Sequence, residues 1–122
     1  MRVRCVADRL GEWRFGVEVG AEYVVLALEA KATAGKWLPA GLHLFVGDRF
    51  SHRCVPIACV EIIDPRISAK WQIGQVGERW LIGYPLMLDL NFQIGLERGD
   101  DPGFAAMYQD LLSEARAEMG DA

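Results

Sequence analysis

His52 and Cys54 are two residues apart. On a β-strand that spacing puts both side chains on one face. A thiol beside an imidazole is the start of a nucleophilic pair, because the ring can take the thiol proton, but such a pair also needs a third group to hold the base. No such group is signalled nearby, and strand alternation makes neighbours of this kind freely. The plainer reading is two packed core side chains, since cysteine is among the most buried residue types. His52, Cys54 and Cys59 could also surround a metal. Their spacing is not Cys-x-x-Cys, however, and no second pair completes four zinc ligands. Ser51, Ser68 and Ser113 lie outside any Gly-x-Ser-x-Gly elbow. The 13 glycines form neither a dinucleotide fingerprint nor a phosphate loop. The residues therefore point to no catalytic group, no metal and no cofactor, and to a protein that acts by binding.

The elements that would position these side chains read as strands followed by a helix. Val3, Cys5 and Ala7 alternate with Arg2 and Arg4, the period of a half-buried strand. A polar stretch over 7–20 follows, in which Trp13, Phe15 and Val17 could form short strands. Tyr23 to Leu28 is β-branched and apolar, which predicts a central strand. Leu42, Leu44 and Val46 make another, closed by Gly47-Asp48. One strand is expected from about His52 to Ile63, at an edge or bulged at Pro56, which lacks a backbone donor. Asp64-Pro65-Arg66 breaks it. Trp71 to Gly74 and Arg79 to Ile82 read as a hairpin with the two tryptophans, Trp71 and Trp80, facing each other and at least one partly exposed. Leu86, Leu88, Leu90, Phe92 and Ile94 alternate, so 86–94 is expected to be extended.

The last element has the strongest local signals. Asp101 can accept bonds from the first helical amides, and Pro102 suits the first helical position because its missing N–H is not needed there. Phe104, Met107, Tyr108, Leu111, Leu112, Ala115 and Met119 recur at helical spacing, and Gly120 marks the end. Gln109, Asp110, Ser113, Glu114 and Glu118 occupy the other face. The expected class is α+β: a small, mostly antiparallel, strongly curved sheet over about 1–95, SH3-like or a partial barrel, with one C-terminal amphipathic helix over about 102–119. A single domain accounts for all 122 residues.

Hydrophobic residues make up 52% of the chain, which excludes intrinsic disorder. No apolar run approaches the roughly 20 residues of a membrane helix, and Asp8 and Arg9 cut off any signal-peptide core. Three cysteines cannot all pair internally, which fits a reducing compartment. The expected location is the cytoplasm. From Glu97 onward there are seven acids and two bases, a net of −5, while the other ten acids and eleven bases net +1. Nucleic acid requires a concentrated basic face, so that partner is disfavoured. An acidic helix suits a basic protein partner, although a solvated helix face explains any single carboxylate as well.

Four stretches occur in a suggestive order: Gly20-x-Glu22-Tyr23-x-Val25; Val60-Glu61-Ile62-Ile63-Asp64-x-Arg66-Ile67-Ser68-x-Lys70-Trp71; Tyr84-Pro85; and Arg98-Gly99-Asp100 before the acidic helix. This order resembles a family of small uncharacterised bacterial proteins, some of them similar to immunity proteins of polymorphic and contact-dependent toxin systems. Ile67 stands where that pattern has Leu, and the residues after Pro85 depart from it. The resemblance implies a stable scaffold that neutralises a cognate toxin by covering it, with Asp100, Asp101, Asp110, Glu114, Glu118 and Trp71 as candidate contacts. It also implies that 64–71 is structural, with Asp64 and Ser68 capping turns. The alternatives are an SH3-like module for peptide or single-stranded nucleic acid, using Trp13 with Arg9 and Arg14 or Trp71 with Lys70, and a small enzyme built on His52 and Cys54. The enzyme would require a depressed thiol pKa. A homodimer is also open, given the apolar content.

Overall fold

The computed structural model describes residues 1–36, 38–77, 79–99 and 101–120. Its strands are β1 (Arg2–Cys5), β2 (Arg9–Leu10), β3 (Trp13–Arg14), β4 (Glu22–Lys31), β5 (Gly41–Gly47), β6 (His52–Pro56), β7 (Val60–Asp64), β8 (Gln72–Val76) and β9 (Arg79–Gly83). Two helices follow, α1 (Leu90–Arg98) and α2 (Pro102–Glu118), and 3-10 turns cover Ile57–Cys59 and Pro85–Leu88. Every strand pairing is antiparallel, so the α+β class holds.

The sheet is organised around β4. One of its edges carries β5 along most of its length. The other edge is shared: residues 22–24 pair with β1 and residues 27–29 with β9, which in turn carries β8. The main path runs β6-β5-β4-β1-β7 and is open, with no pairing between β6 and β7. The barrel therefore does not close. The single strand expected from His52 to Ile63 is two strands at opposite ends of this path. Pro56 ends β6, and the turn at Ile57–Cys59 carries the chain across to β1. Because β6 pairs with β5 alone, the proline sits on an edge, where a missing donor costs little.

A register shift between Val25 and Ala27 bulges β4. Before the bulge Val25 pairs with Val46, and both belong to a cluster with Val3, Phe15, Val17 and Leu44. After it Ala27 pairs with Phe45, and both belong to a second cluster with Tyr84, Met87, Phe92, Tyr108 and Leu112. The extra residue moves the odd-numbered positions from one face to the other. Glu29 is thereby turned toward the helices.

The stretch expected to be extended over 86–94 is instead helical, which corrects both the sheet boundary and the single-helix expectation. Pro85 opens the 3-10 turn. Asp89 then caps α1, accepting from the Asn91 and Phe92 amides, and Gly99 closes it at φ 69° in the left-handed region. Phe92, Gln93 and Leu96 are buried, a helical period that overrides the apparent alternation. The ends of α2 follow the sequence reading. The Asp101 carboxylate accepts from the Gly103 amide at 2.7 Å, Pro102 is in the first turn, and Gly120 has φ 82°. Tyr108, Leu111, Leu112 and Ala115 form its buried stripe, while Met107 stays exposed. No helix among the described residues is long and apolar enough to cross a membrane.

Candidate functional site

The acidic face of α2 is partly neutralised within the chain. Lys70 Nζ lies 2.5 Å from Glu114 and 3.5 Å from Glu118. The Tyr84 hydroxyl donates to Glu118 at 2.9 Å. Burial works to raise the Glu118 carboxyl, but bonds from Ser68, Tyr84 and Lys70 outweigh it and hold it below its usual range. Burial, with Glu118 beside it, pushes the Tyr84 phenol up to about 12. Asp101 is exposed but occupied as a cap, and Asp110 is exposed on the rim of a groove with Met107, Pro85 and Leu86. Asp100 lies outside the described residues. Of the acids expected to bind a partner, the structure thus brings together Glu114 and Glu118 around Lys70, and it leaves Asp110 open.

Trp71 is half-buried, its ring edge-on to Tyr84 with centroids 6.1 Å apart. It does not face Trp80. The register pairs Trp80 with Gln75, which places the two tryptophans at opposite ends of the hairpin. The 64–71 segment is held by local bonds. Asp64 accepts from the Arg66 amide at 3.0 Å and from its guanidinium, and Ser68 Oγ accepts from the Lys70 amide at 3.0 Å. These are turn-capping roles, as the resemblance implied.

His52 and Cys54 do share a face and line a cleft of about 570 Å³ between β6, α1 and the 14–15 segment. Burial pushes the Cys54 thiol up to about 12 and the His52 ring down to about 4. A thiol kept protonated beside a neutral ring is the reverse of an activated pair. His52 Nε2 is 3.8 Å from Glu97, beyond hydrogen-bond range, and Nδ1 is buried without a partner. Cys5, Cys54 and Cys59 are all free thiols. Among the described residues, no group of three metal-ligating side chains gathers.

Beside this cleft is a network that sequence reasoning missed. Glu29 is 5% exposed and takes a 3.0 Å bond from Arg79, whose second terminal nitrogen donates to Gln93 at 3.1 Å. Gln93 in turn donates to the Met87 carbonyl. The available signal was a lone carboxylate inside the apolar run of β4, since a buried charge requires a partner.

The helix-free face of the sheet presents the other missed surface. Cross-strand pairs Ala30–Leu42, Leu28–Ile82 and Ile82–Ile73 form a continuous apolar strip, with Trp80 on the same face. Ile73 is 71% exposed, Trp80 61% and Leu42 37%. Phe15 and Val17, in the segment between β3 and β4, pack on the rest of this face, and the apolar strip continues beyond that cover. Comparison with family models, curated proteins and solved structures finds no match for this chain.

Proposed function

We propose that the chain is a non-catalytic protein-binding domain of the immunity kind, neutralising a cognate bacterial toxin in the cytoplasm by direct binding. The observation that carries the binding reading is the exposed strip centred on Trp80. Large apolar side chains left uncovered side by side mark contact surfaces, and tryptophan is enriched among the residues that dominate binding energy. The anchor is thus Trp80 with Ile73 and Leu42, and not the half-buried Trp71. On α2, the tied Glu114 and Glu118 offer a partner less charge than the sequence suggests. Asp110 and the net −5 of the C-terminal segment still favour a basic partner through steering. The immunity assignment rests on the Val60–Trp71 and Tyr84-Pro85 resemblance.

A second reading is favoured by the strand order. The path β7-β1-β4-β5-β6, with a small β2–β3 hairpin after β1 and a 3-10 turn before β7, supports an SH3-like reading, to which β8, β9 and the two helices would be additions. A shallow site of about 620 Å³ between the 12–14 and 35–36 segments is lined by Glu12, Trp13, Arg14, Gly35 and Lys36, an aromatic ring among two bases and one acid that could take a peptide.

The test is an affinity capture from native cells with wild type, Trp80→Glu, Asp110→Lys and Trp13→Ala. The proposal expects one stoichiometric partner, lost with Trp80→Glu and weakened by salt. That partner should be toxic when expressed alone and silenced by co-expression of this chain. Loss with Trp13→Ala and not with Trp80→Glu would favour the peptide module. No stoichiometric partner, or one that is harmless alone, would overturn the immunity reading.

A further inference from the structure

The cleft between β6 and α1 plays no part in docking through the sheet face, yet it has the makings of a ligand site. Its volume, about 570 Å³, lies within the roughly 300–1,000 Å³ of small-molecule sites. Among the described residues, Arg14, Arg53 and Arg79 line it beside one carboxylate, Glu97, and Phe15, Phe45 and Leu96 supply an apolar wall.

The three arginines are not equivalent. Arg79 is fixed from behind by buried Glu29 and by Gln93, which use two of the five N–H donors of its guanidinium; the side chain is still 36% exposed. A guanidinium held in one orientation loses little freedom when it binds a planar anion through a forked pair of bonds. Arg53 is answered by Asp48 at 3.3 Å. Arg14, exposed at the rim, makes no ion pair or hydrogen bond among the described residues. Glu29 and Asp48 offset two of the three positive charges; with the exposed Glu97 counted the lining is formally neutral, so the attraction is local to Arg14 and to the forked Arg79 and suits one negative charge at most. A dianion would gain nothing more and would meet Glu97. That carboxylate lines the cleft at its exposed edge, with its side chain 67% exposed and 3.8 Å from His52. His52 itself is 6% exposed at its side chain, with Nδ1 unpartnered.

We propose that this cleft binds a small organic monocarboxylate, with its carboxylate on Arg79 and Arg14 and its apolar body against Phe15, Phe45 and Leu96. The ligand is recognised by one charge and one apolar group. The inference stands on the cleft alone and is independent of the toxin-binding reading.

The experiment is a titration of isotope-labelled protein, followed by amide NMR, with sodium phenylacetate and separately with phenylacetamide, which keeps the shape and removes the charge. Saturable shifts at Phe45, His52 and Leu96 are expected with the acid, in the millimolar range, and binding of the amide about tenfold weaker. Arg14→Gln, a surface change, and Arg79→Lys, which keeps a cation against Glu29 but removes the fork, should each weaken the acid by about tenfold. Spectra otherwise unchanged show that the fold is retained. Equal binding of acid and amide, indifference to both substitutions, or no shift up to the solubility limit would overturn the proposal.

Discussion

Replacing Arg79 by methionine removes the cation from a carboxylate that has no other ion pair among the described residues. Glu29 is 5% exposed, and its bond to Arg79 is 3.0 Å long. The substitution also strips Gln93 of the donor that fills its amide oxygen. Breaking a fully buried pair by deleting one partner costs about 3–5 kcal/mol, because the remaining charge stays desolvated. The Arg79 head is 36% exposed, so water can enter in its place; discounting for that gives about 2–3 kcal/mol. At about 0.05–0.15 kcal/mol per residue, a domain of this length has roughly 6–18 kcal/mol of stability, so the variant still folds. Urea unfolding, followed by fluorescence of the four tryptophans, should show the midpoint fall by about 1–2 M with an unchanged slope. Arg79→Met combined with Glu29→Leu should recover most of the loss, since an apolar pair of similar volume replaces a buried ion pair at little cost. A single variant within about 0.5 kcal/mol of wild type, or a double variant as unstable as the sum of the singles, would refute the reasoning.

Gly83→Ala should be costly for a steric reason. A Cβ there would lie 2.5 Å from the Leu26 carbonyl oxygen and 2.6 Å from the Ala27 Cα, backbone atoms that cannot rotate away. A fall in melting temperature of roughly 5–15 °C is expected by calorimetry, and an unchanged melt would show that β9 can move off β4. His52 sets a pH dependence. Its folded pKa of about 4 is below the ordinary 6.5, so between those values the unfolded chain takes up a proton that the native state refuses. Stability is therefore unaffected above pH 6.5 and falls as pH drops toward 4, by up to about 3 kcal/mol from this group. NMR of the ring should show no titration down to about pH 5, and a midpoint near 6.5 would contradict its burial. Asp101→Ala should cost about 1 kcal/mol by removing the α2 cap, whereas Asp110→Ala should stay within about 0.5 kcal/mol; chemical denaturation of the two variants distinguishes a structural acid from a free one.

Much of this follows from local chemistry. The ends of α2 are legible because Asp101, Pro102 and Gly120 act through bonds and dihedrals within a few residues. The same kind of signal stood at Asp89 and Gly99, the two ends of α1. The alternation of Leu86, Leu88, Leu90, Phe92 and Ile94 masked it, since five apolar residues at even positions fit a strand as readily as a helix with Phe92 and Leu96 inward. For the candidate surfaces, the sequence named Glu114, Glu118 and Trp71 as contacts. It could not show that Lys70, 44 residues before Glu114, would reach across to bind that helix.

By itself, the sequence determined the α+β class, the central strand β4, the hairpin after Trp71 and the capped final helix. All of these arise from periodicity and from residues adjacent in the chain. Only the tertiary structure decided which apolar residues stay uncovered and which charges meet. Trp80 is exposed and Trp71 half-buried because the hairpin register sets one beside Gln75 and packs the other against Tyr84. Glu29 meets Arg79, 50 residues away, because a single bulged residue in β4 turns its side chain to the helix side. Burial and pairing of that kind depend on contacts between distant segments, and these form only when the sheet has been assembled.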